Sequence, residues 1–296
     1  MGGRNMVKKR RAFSGEKVFD FFVYLIIAVL LLIFIVPLLY VLSSSFTPYS
    51  EIIKHGGFVL IPQEITLSAY KQLLGTTGIV TAFKVSLFVT VVGTTINMIL
   101  SVLVAYPLSK KDLPGRQLLT LLVVFTMMFN GGLIPTYLTV KGTGLLDTVW
   151  ALIIPGAIST YNVILLKNYF QAMPEELFEA ATIDGAGGFR SLLTIAVPLA
   201  KPVTMTVMLL YMVGNWNVFY PAIYYIYDPA LKPLQVILRD ILLSANSVLT
   251  GNVDAATPTL TLQMAAIVVT SVPIILVYPF IQKHFTKGIM MGAVKG

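Results

Sequence analysis

Long apolar runs separated by short polar breaks dominate the chain, and their length is the first clue. About 20 mostly apolar residues carry an α-helix across ~30 Å of hydrocarbon at 1.5 Å per residue. Six stretches meet that requirement: residues 18–42, 83–106, 118–138, 148–166, 203–224 and 262–281. The pattern predicts an all-α, polytopic membrane protein with six transmembrane helices. The first run follows the basic KKRR of Lys8 to Arg11. It is too long for the apolar part of a signal peptide and no small-residue cleavage site follows, so a retained helix is expected. The third run is interrupted at Asn130-Gly131-Gly132 and Pro135, and the sixth at Pro273 and Pro279. Such breaks persist in lipid only where neighbouring protein or water satisfies the freed backbone groups.

Composition agrees with the pattern. Of 296 residues 56% are hydrophobic and 11% charged, against about 25% charged in a soluble domain. Too few charges remain to cover a globular surface, so lipid is the solvent for much of the chain. The net charge of +8 then reads as basic loops held on one membrane face, not as a nucleic-acid surface. With six spans, the tails and two inner connections carry fifteen Lys and Arg and the other face five, with Lys84 unassigned. That asymmetry puts both termini in the cytoplasm.

The resulting organisation is a basic tail over 1–17, a first helix over 18–42 and an extracellular connection over 43–82. A core over 83–283 follows, containing an inner loop at 170–200 and an outer loop at 225–261, and 284–296 form a cytoplasmic tail.

Several chemistries are excluded. There is no cysteine, hence no disulfide and no thiolate chemistry. His55 and His284 stand alone, far apart, and no metal site is expected. No phosphate-binding loop occurs, since Gly-Lys is absent from the chain. The spans hold no acid–base pair, nucleophile set or zinc motif. An enzyme is therefore not expected.

The polar stretch Glu179 to Pro198, EAATIDGAGGFRSLLTIAVP, is the informative exception. Pro174, Glu175 and Glu176 suit the first turn of a helix. Leu177, Ala180 and Ala181 fall on one small apolar face, and Asp184-Gly185 signals the turn that ends it. GFRSLLTIAVP predicts a second short helix that stops before Pro198. The expected product is a helix–turn–helix lying on the cytoplasmic surface.

Glu179-Ala180-Ala181, three residues, Gly185, nine residues and Ile195-Ala196-Val197-Pro198 resemble the EAA signature of ABC importer permeases. Val197 stands where that signature has leucine. The resemblance extends over nearly the whole chain and is to permeases of carbohydrate importers of the maltose type. The segments at 127–138 and 214–225 are similar to the LplC-like branch, associated with oligosaccharides from complex polysaccharides such as pectin or alginate.

The resemblance implies a coupling helix that docks on a separate ATPase subunit. In it Glu179 is a charged contact, Ala180 and Ala181 a close-packed face, and Asp184-Gly185 the turn. It also implies that the C-terminal tail, with Gly292, Ala293, Val294 and Lys295, reaches between the ATPase subunits. The implied partners are a second permease forming a heterodimer, two cytoplasmic ATPase subunits and an extracellular, lipid-anchored or periplasmic solute-binding protein. ATP and Mg belong to the ATPase, and this chain binds no cofactor of its own.

Sugars present hydroxyls and apolar ring faces, which amides and aromatic rings recognise. Asn130, Tyr137, Tyr161, Asn162, Asn215, Trp216, Asn217 and Tyr220 supply both in or beside the spans and are the expected substrate path. Interface anchoring and helix–helix hydrogen bonding are the competing uses of the same residue types. Permeases for a polyamine or an amino acid share the EAA signature, and an ion-coupled carrier is the reading from another class. The carrier would need ionisable groups buried in the spans, and Asp20, near the start of the first run, is a poor candidate.

Overall fold

The computed structural model describes residues 14–75, 77–246 and 260–293, and these are helical or irregular throughout. Helix α1 (Ser14–Phe46) is followed by the short α2 (Tyr49–Lys54) and α3 (Ser68–Gly75) and the long α4 (Thr77–Ser109). Next come α5 (Arg116–Met128), α6 (Leu133–Gly142), α7 (Thr160–Gln171) and α8 (Glu176–Ile183). The chain continues through α9 (Gly188–Ser191), a π turn (Leu192–Ala196) and α10 (Val197–Leu199) into α11 (Lys201–Trp216). It closes with α12 (Tyr220–Tyr225), α13 (Leu234–Asn246) and α14 (Leu260–Ala293).

Among the described residues three helices are long and apolar enough to cross a membrane, and five if each bent pair is one span. The fourth expected span is not a continuous helix. Residues 149–152 form a single 3-10 turn, the chain bends through Pro155-Gly156, and α7 starts only at Thr160. Hydropathy averages across that break. Proline withdraws a donor and glycine lowers helix propensity, and together they end regular structure within the apolar run.

The third stretch breaks where expected. α5 ends at Met128, α6 begins at Leu133, and the two meet at 115°. Gly132, with φ +88°, takes a backbone conformation that a Cβ disfavours. The sixth does not break: α14 runs through both Pro273 and Pro279. Each proline removes one hydrogen bond, and a helix of 34 residues packed along other helices retains enough to continue. The helix after Gly187 likewise passes Pro198 and turns only at Ala200, where α10 and α11 meet at 86°.

α4 is the central helix and packs against α7 and α11. Its buried side carries Ser86, Thr90, Gly93, Thr94, Asn97 and Ser101, spaced by three and four so that they form one stripe. Small residues let helix backbones approach closely, and hydroxyls bond across the seam. A Cβ on Gly93 would lie 3.0 Å from Asn215 Nδ2 of α11. Ser101 Oγ and Tyr211 Oη lie 2.6 Å apart, and Tyr211 Oη also accepts from the Ser159 N–H at 2.9 Å. One apolar core joins α4, α7 and α11 through Ala105, Leu166, Phe170, Ala196 and Val207.

α1 is different. It packs on α14, and nothing in its apolar window is buried. Only its last turns are enclosed: Ser44, Ser45 and Thr47 are inaccessible. Tyr40 Oη donates to the Gly57 carbonyl, and Thr261 Oγ1 donates to the Thr47 carbonyl.

Candidate functional site

Two places hold the residues singled out in the sequence. The first is the end of the molecule where α4 finishes and α8 lies. Glu175 precedes α8 and Asp184 closes it. The Ala186 N–H then reaches back to the Ala181 carbonyl (2.8 Å) and the Gly185 N–H to Thr182 (3.0 Å), with Gly185 at φ +77°. These paired bonds form a Schellman turn, for which glycine is favoured because the left-handed conformation strains a Cβ. The turn anticipated at Asp184-Gly185 is therefore present.

The faces of α8 fall differently from the expectation. Ala181 is turned inward and nearly buried, whereas Glu179, Ala180 and Leu177 are exposed. The inward face consists of Ala181 and Phe178, and the outward face adds Ile183 (87% exposed) and Phe189 (66%) beyond the turn. Neither apolar residue was singled out in the sequence. The signal was there: an isoleucine inside the otherwise polar TIDG.

A lysine holds α8 to α4. Lys110 Nζ sits 3.4 Å from the Phe178 ring centroid and 4.9 Å from that of Tyr106, and Tyr106 meets Phe170 of α7 edge-on at 5.8 Å. Burial pushes the Lys110 ammonium below the ordinary lysine value, while Asp112 and Glu175 oppose that shift. Beside it Lys111 donates to Glu175 Oε2 at 2.8 Å, and this hydrogen bond raises the Lys111 value. Both partners of that pair are well exposed, so it is screened and weak. Lys110, Lys111, Phe170, Glu175 and Phe178 line a recess of ≈ 370 Å³.

The second place is an open cleft of ≈ 400 Å³ on α4, α7 and α11. It brings together Tyr161, Asn162 and Asn215 from the expected path and adds Asn97, Ser159 and Tyr211. Asn97 donates to the Gly156 carbonyl at 3.2 Å, and its Oδ1 is buried with no partner. Asn215 Nδ2 donates to Thr94 Oγ1 at 3.2 Å. Tyr161 is 57% exposed. None of the side chains around this cleft is charged.

The other expected path residues lie elsewhere. Trp216 is buried: its indole N–H donates to the Thr270 carbonyl at 3.0 Å and its ring meets Phe83 edge-on, so it ties α11 to α14. Asn217 donates to the Val213 carbonyl and accepts from Gln235. Asn130 accepts from the Gly132 N–H within the α5–α6 break. Tyr137 and Tyr220 join an aromatic series at α12. Tyr220 stacks on Tyr224 at 6.2 Å, Tyr225 stands 6.3 Å from Tyr137, and Tyr137 Oη lies 2.8 Å from Tyr227 Oη. Asp147, at φ +57°, braces this series by accepting from the N–H groups of Tyr227 and Asp228. Gly292 and Ala293 end α14, and Val294 and Lys295 fall outside the described residues. Among the described residues no cluster of potential metal ligands occurs.

Comparison with known proteins gives one consistent result. Residues 75–291 match the family described as the inner membrane component of binding-protein-dependent transport systems. The polygalacturonan/rhamnogalacturonan transport system permease protein YtcP of Bacillus subtilis (strain 168) is 45% identical, over 95% of this chain and 99% of the relative. Protein LplC of the same organism is 46% identical, over 88% and 90%. A chain in the crystal structure of a bacterial ABC transporter that imports the acidic polysaccharide alginate superposes with a TM-score of 0.85. It is 31% identical, and the match covers 92% of this chain and 98% of that one.

Proposed function

This chain belongs to the family of inner membrane components of binding-protein-dependent transport systems, and from that premise we propose that it is a permease of an ATP-driven importer for acidic oligosaccharides. The observation that carries the proposal is the geometry of α8. A short helix closed by a Schellman turn holds Leu177, Ala180, Ile183 and Phe189 outward at a polar end of the molecule. Exposed apolar side chains with a polar rim fit a protein partner.

The partner at that surface is a cytoplasmic ATPase subunit, which binds ATP and Mg. Two such subunits, a second permease and a solute-binding protein outside the membrane complete the assembly. Both termini lie in the cytoplasm, in keeping with the lysine and arginine asymmetry. Glu179, Ala180, Asp184 and Gly185 belong to the docking surface, Ala181 seats the helix on its own chain, and the C-terminal tail extends toward the ATPases. The cargo reading draws on relatives that carry polygalacturonan, rhamnogalacturonan or alginate.

Closure of the ATPase pair on ATP moves α8, and α8 moves α4 through Phe178 and Lys110. The helices around the cleft follow as a population shift between inward-open and outward-open states. Hydrolysis returns them.

The test is co-purification of the chain with its co-expressed neighbours, then reconstitution with the binding protein and trigalacturonate. ATP-dependent uptake with stimulated ATPase is expected. Absence of an associated ATPase would refute the assignment.

A further inference from the structure

α7 begins inside the apolar slab instead of at its edge. Gln171 ends it beside α8, so Thr160 stands about 17 Å further along the axis. Asn97 lies about 18 Å from the same end of α4, and Asn215 about 21 Å along α11. The cleft is therefore near mid-depth, where lipid cannot satisfy polar groups.

Several groups there lack partners. The first bond within α7 is from the Val163 N–H to the Ser159 carbonyl, 3.0 Å, and no side chain caps the helix. The N–H groups of Thr160, Tyr161 and Asn162 are thus unused donors at the positive end of a helix dipole. Asn162, only 4% exposed, lines the cleft with an amide that has no hydrogen-bond partner among the described residues. Asn97 Oδ1 is unpartnered just behind it. Leaving such groups bare at this depth costs a few kcal/mol, so a hydrophilic ligand belongs here.

The lining narrows the ligand's chemistry. Helix N-termini favour anions, and amides donate to and accept from hydroxyls. No lysine or arginine reaches the cleft. A carboxylate here would meet dipoles alone and be held weakly enough to leave again, as a transport site requires. The exposed ring of Tyr161 offers an apolar face to a sugar ring.

We propose that this cleft is a transit site for a uronate residue, with the N-terminus of α7 taking the carboxylate and the amides of Asn162 and Asn215 taking the hydroxyls. The inference rests on the permease reading above and names what one part of the path binds.

Two experiments on the assembled complex test it. Thr160→Pro deletes the main-chain donor together with the hydroxyl that lies 3.0 Å from Thr126 Oγ1. Thr160→Val, which loses the hydroxyl and keeps the N–H, is measured beside it and should spare uptake of both sugars. Ser159, at φ −95° and ψ 119°, already holds the extended backbone that precedes a proline, and proline suits the first helical position. Uptake of trigalacturonate should fall about tenfold, as for loss of one hydrogen bond to a charged group. Uptake of its neutral methyl ester should change by less than about twofold. Equal loss for both would overturn the carboxylate assignment.

The second experiment uses the absence of native cysteine from this chain. Asn162→Cys and, separately, Tyr161→Cys are treated with a charged methanethiosulfonate in transporting proteoliposomes. Both should react, and trigalacturonate should slow the reaction several-fold more than the ester does. Cysteines that stay unreactive, or that react unprotected while trigalacturonate is taken up, would overturn the site and leave the permease reading intact. A wild-type complex that takes up neither sugar would overturn that reading, and the inference with it.

Discussion

The α8 end and the mid-depth cleft break the ordinary rules of burial in opposite directions. At α8, apolar Ile183 and Phe189 face outward beside glutamates and aspartate. In the cleft, the amides of Asn97, Asn162 and Asn215 sit among helices built to avoid water. Each inversion is a surface waiting for its complement. Exposed hydrocarbon in a polar setting calls for a protein, and amides with hydrogen-bonding capacity left over in an apolar setting call for a hydrophilic cargo. In the proposed importer the contrast would divide the labour, with one surface receiving force and the other meeting what is moved.

The sharpest break in that comparison is Ile183→Asp. The side chain makes little contact with its own chain, so thermal unfolding of this subunit should not change. Placing a charge in the docked interface should cost about 2–4 kcal/mol, as at a hot spot, and the ATPase should no longer co-purify. Retention of the ATPase would remove Ile183 from the docking surface.

Next in size is Gly93→Val on the cleft side. Its branched side chain drives into Asn215 and should destabilise the chain by about 1–3 kcal/mol through overpacking. A lowered melting temperature in detergent would register this, whereas Gly93→Ala should be milder, since the obstacle is the end of a side chain. An unchanged melting temperature for the valine variant would refute the close approach of α4 and α11.

Lys110→Met addresses the link between the two surfaces. The cation–π contact contributes roughly 1 kcal/mol, so the fold should hold while uptake per ATP hydrolysed declines. If that ratio stays at its wild-type value, force reaches α4 by another route. Smallest of all, Lys111→Met removes an exposed, screened pair. The effect should be visible only at low ionic strength and absent at high salt, measured as the same ratio.

Much of the α8 surface was legible in the sequence because its signals are local. Glu175, Asp184 and Gly185 each mark a helix boundary by their own chemistry, and the Schellman turn sits where the glycine placed it. Which alanine faces inward was not legible, since that depends on Phe178 meeting Lys110, just beyond the end of α4. The cleft was only partly readable. Tyr161, Asn162 and Asn215 were recognised by residue type, but Asn97 belongs to a stripe of serines and threonines whose meaning lies in what α7 and α11 bring to it. Trp216 misled because an indole suits a sugar and a helix seam equally well, and only the Thr270 carbonyl decides. The start of α7 was hidden for a different reason: a window of hydropathy does not register two residues, Pro155 and Gly156, that end regular structure without lowering the average.

α1 carries a consequence of its own. Lipophilic in every direction and enclosed only around Ser44 to Thr47, it resembles a mast stepped at its foot. The family match begins at residue 75, beyond this helix. Tyr40, Ser45 and Thr47 tie its base to Gly57, Tyr70 and Thr261, so exchanges among leucine, isoleucine and phenylalanine on the side turned away from α14 should leave the rest of the protein undisturbed. The side of α1 turned away from α14 can therefore be matched to different lipids or neighbours without altering the packing of α4, α7 and α11.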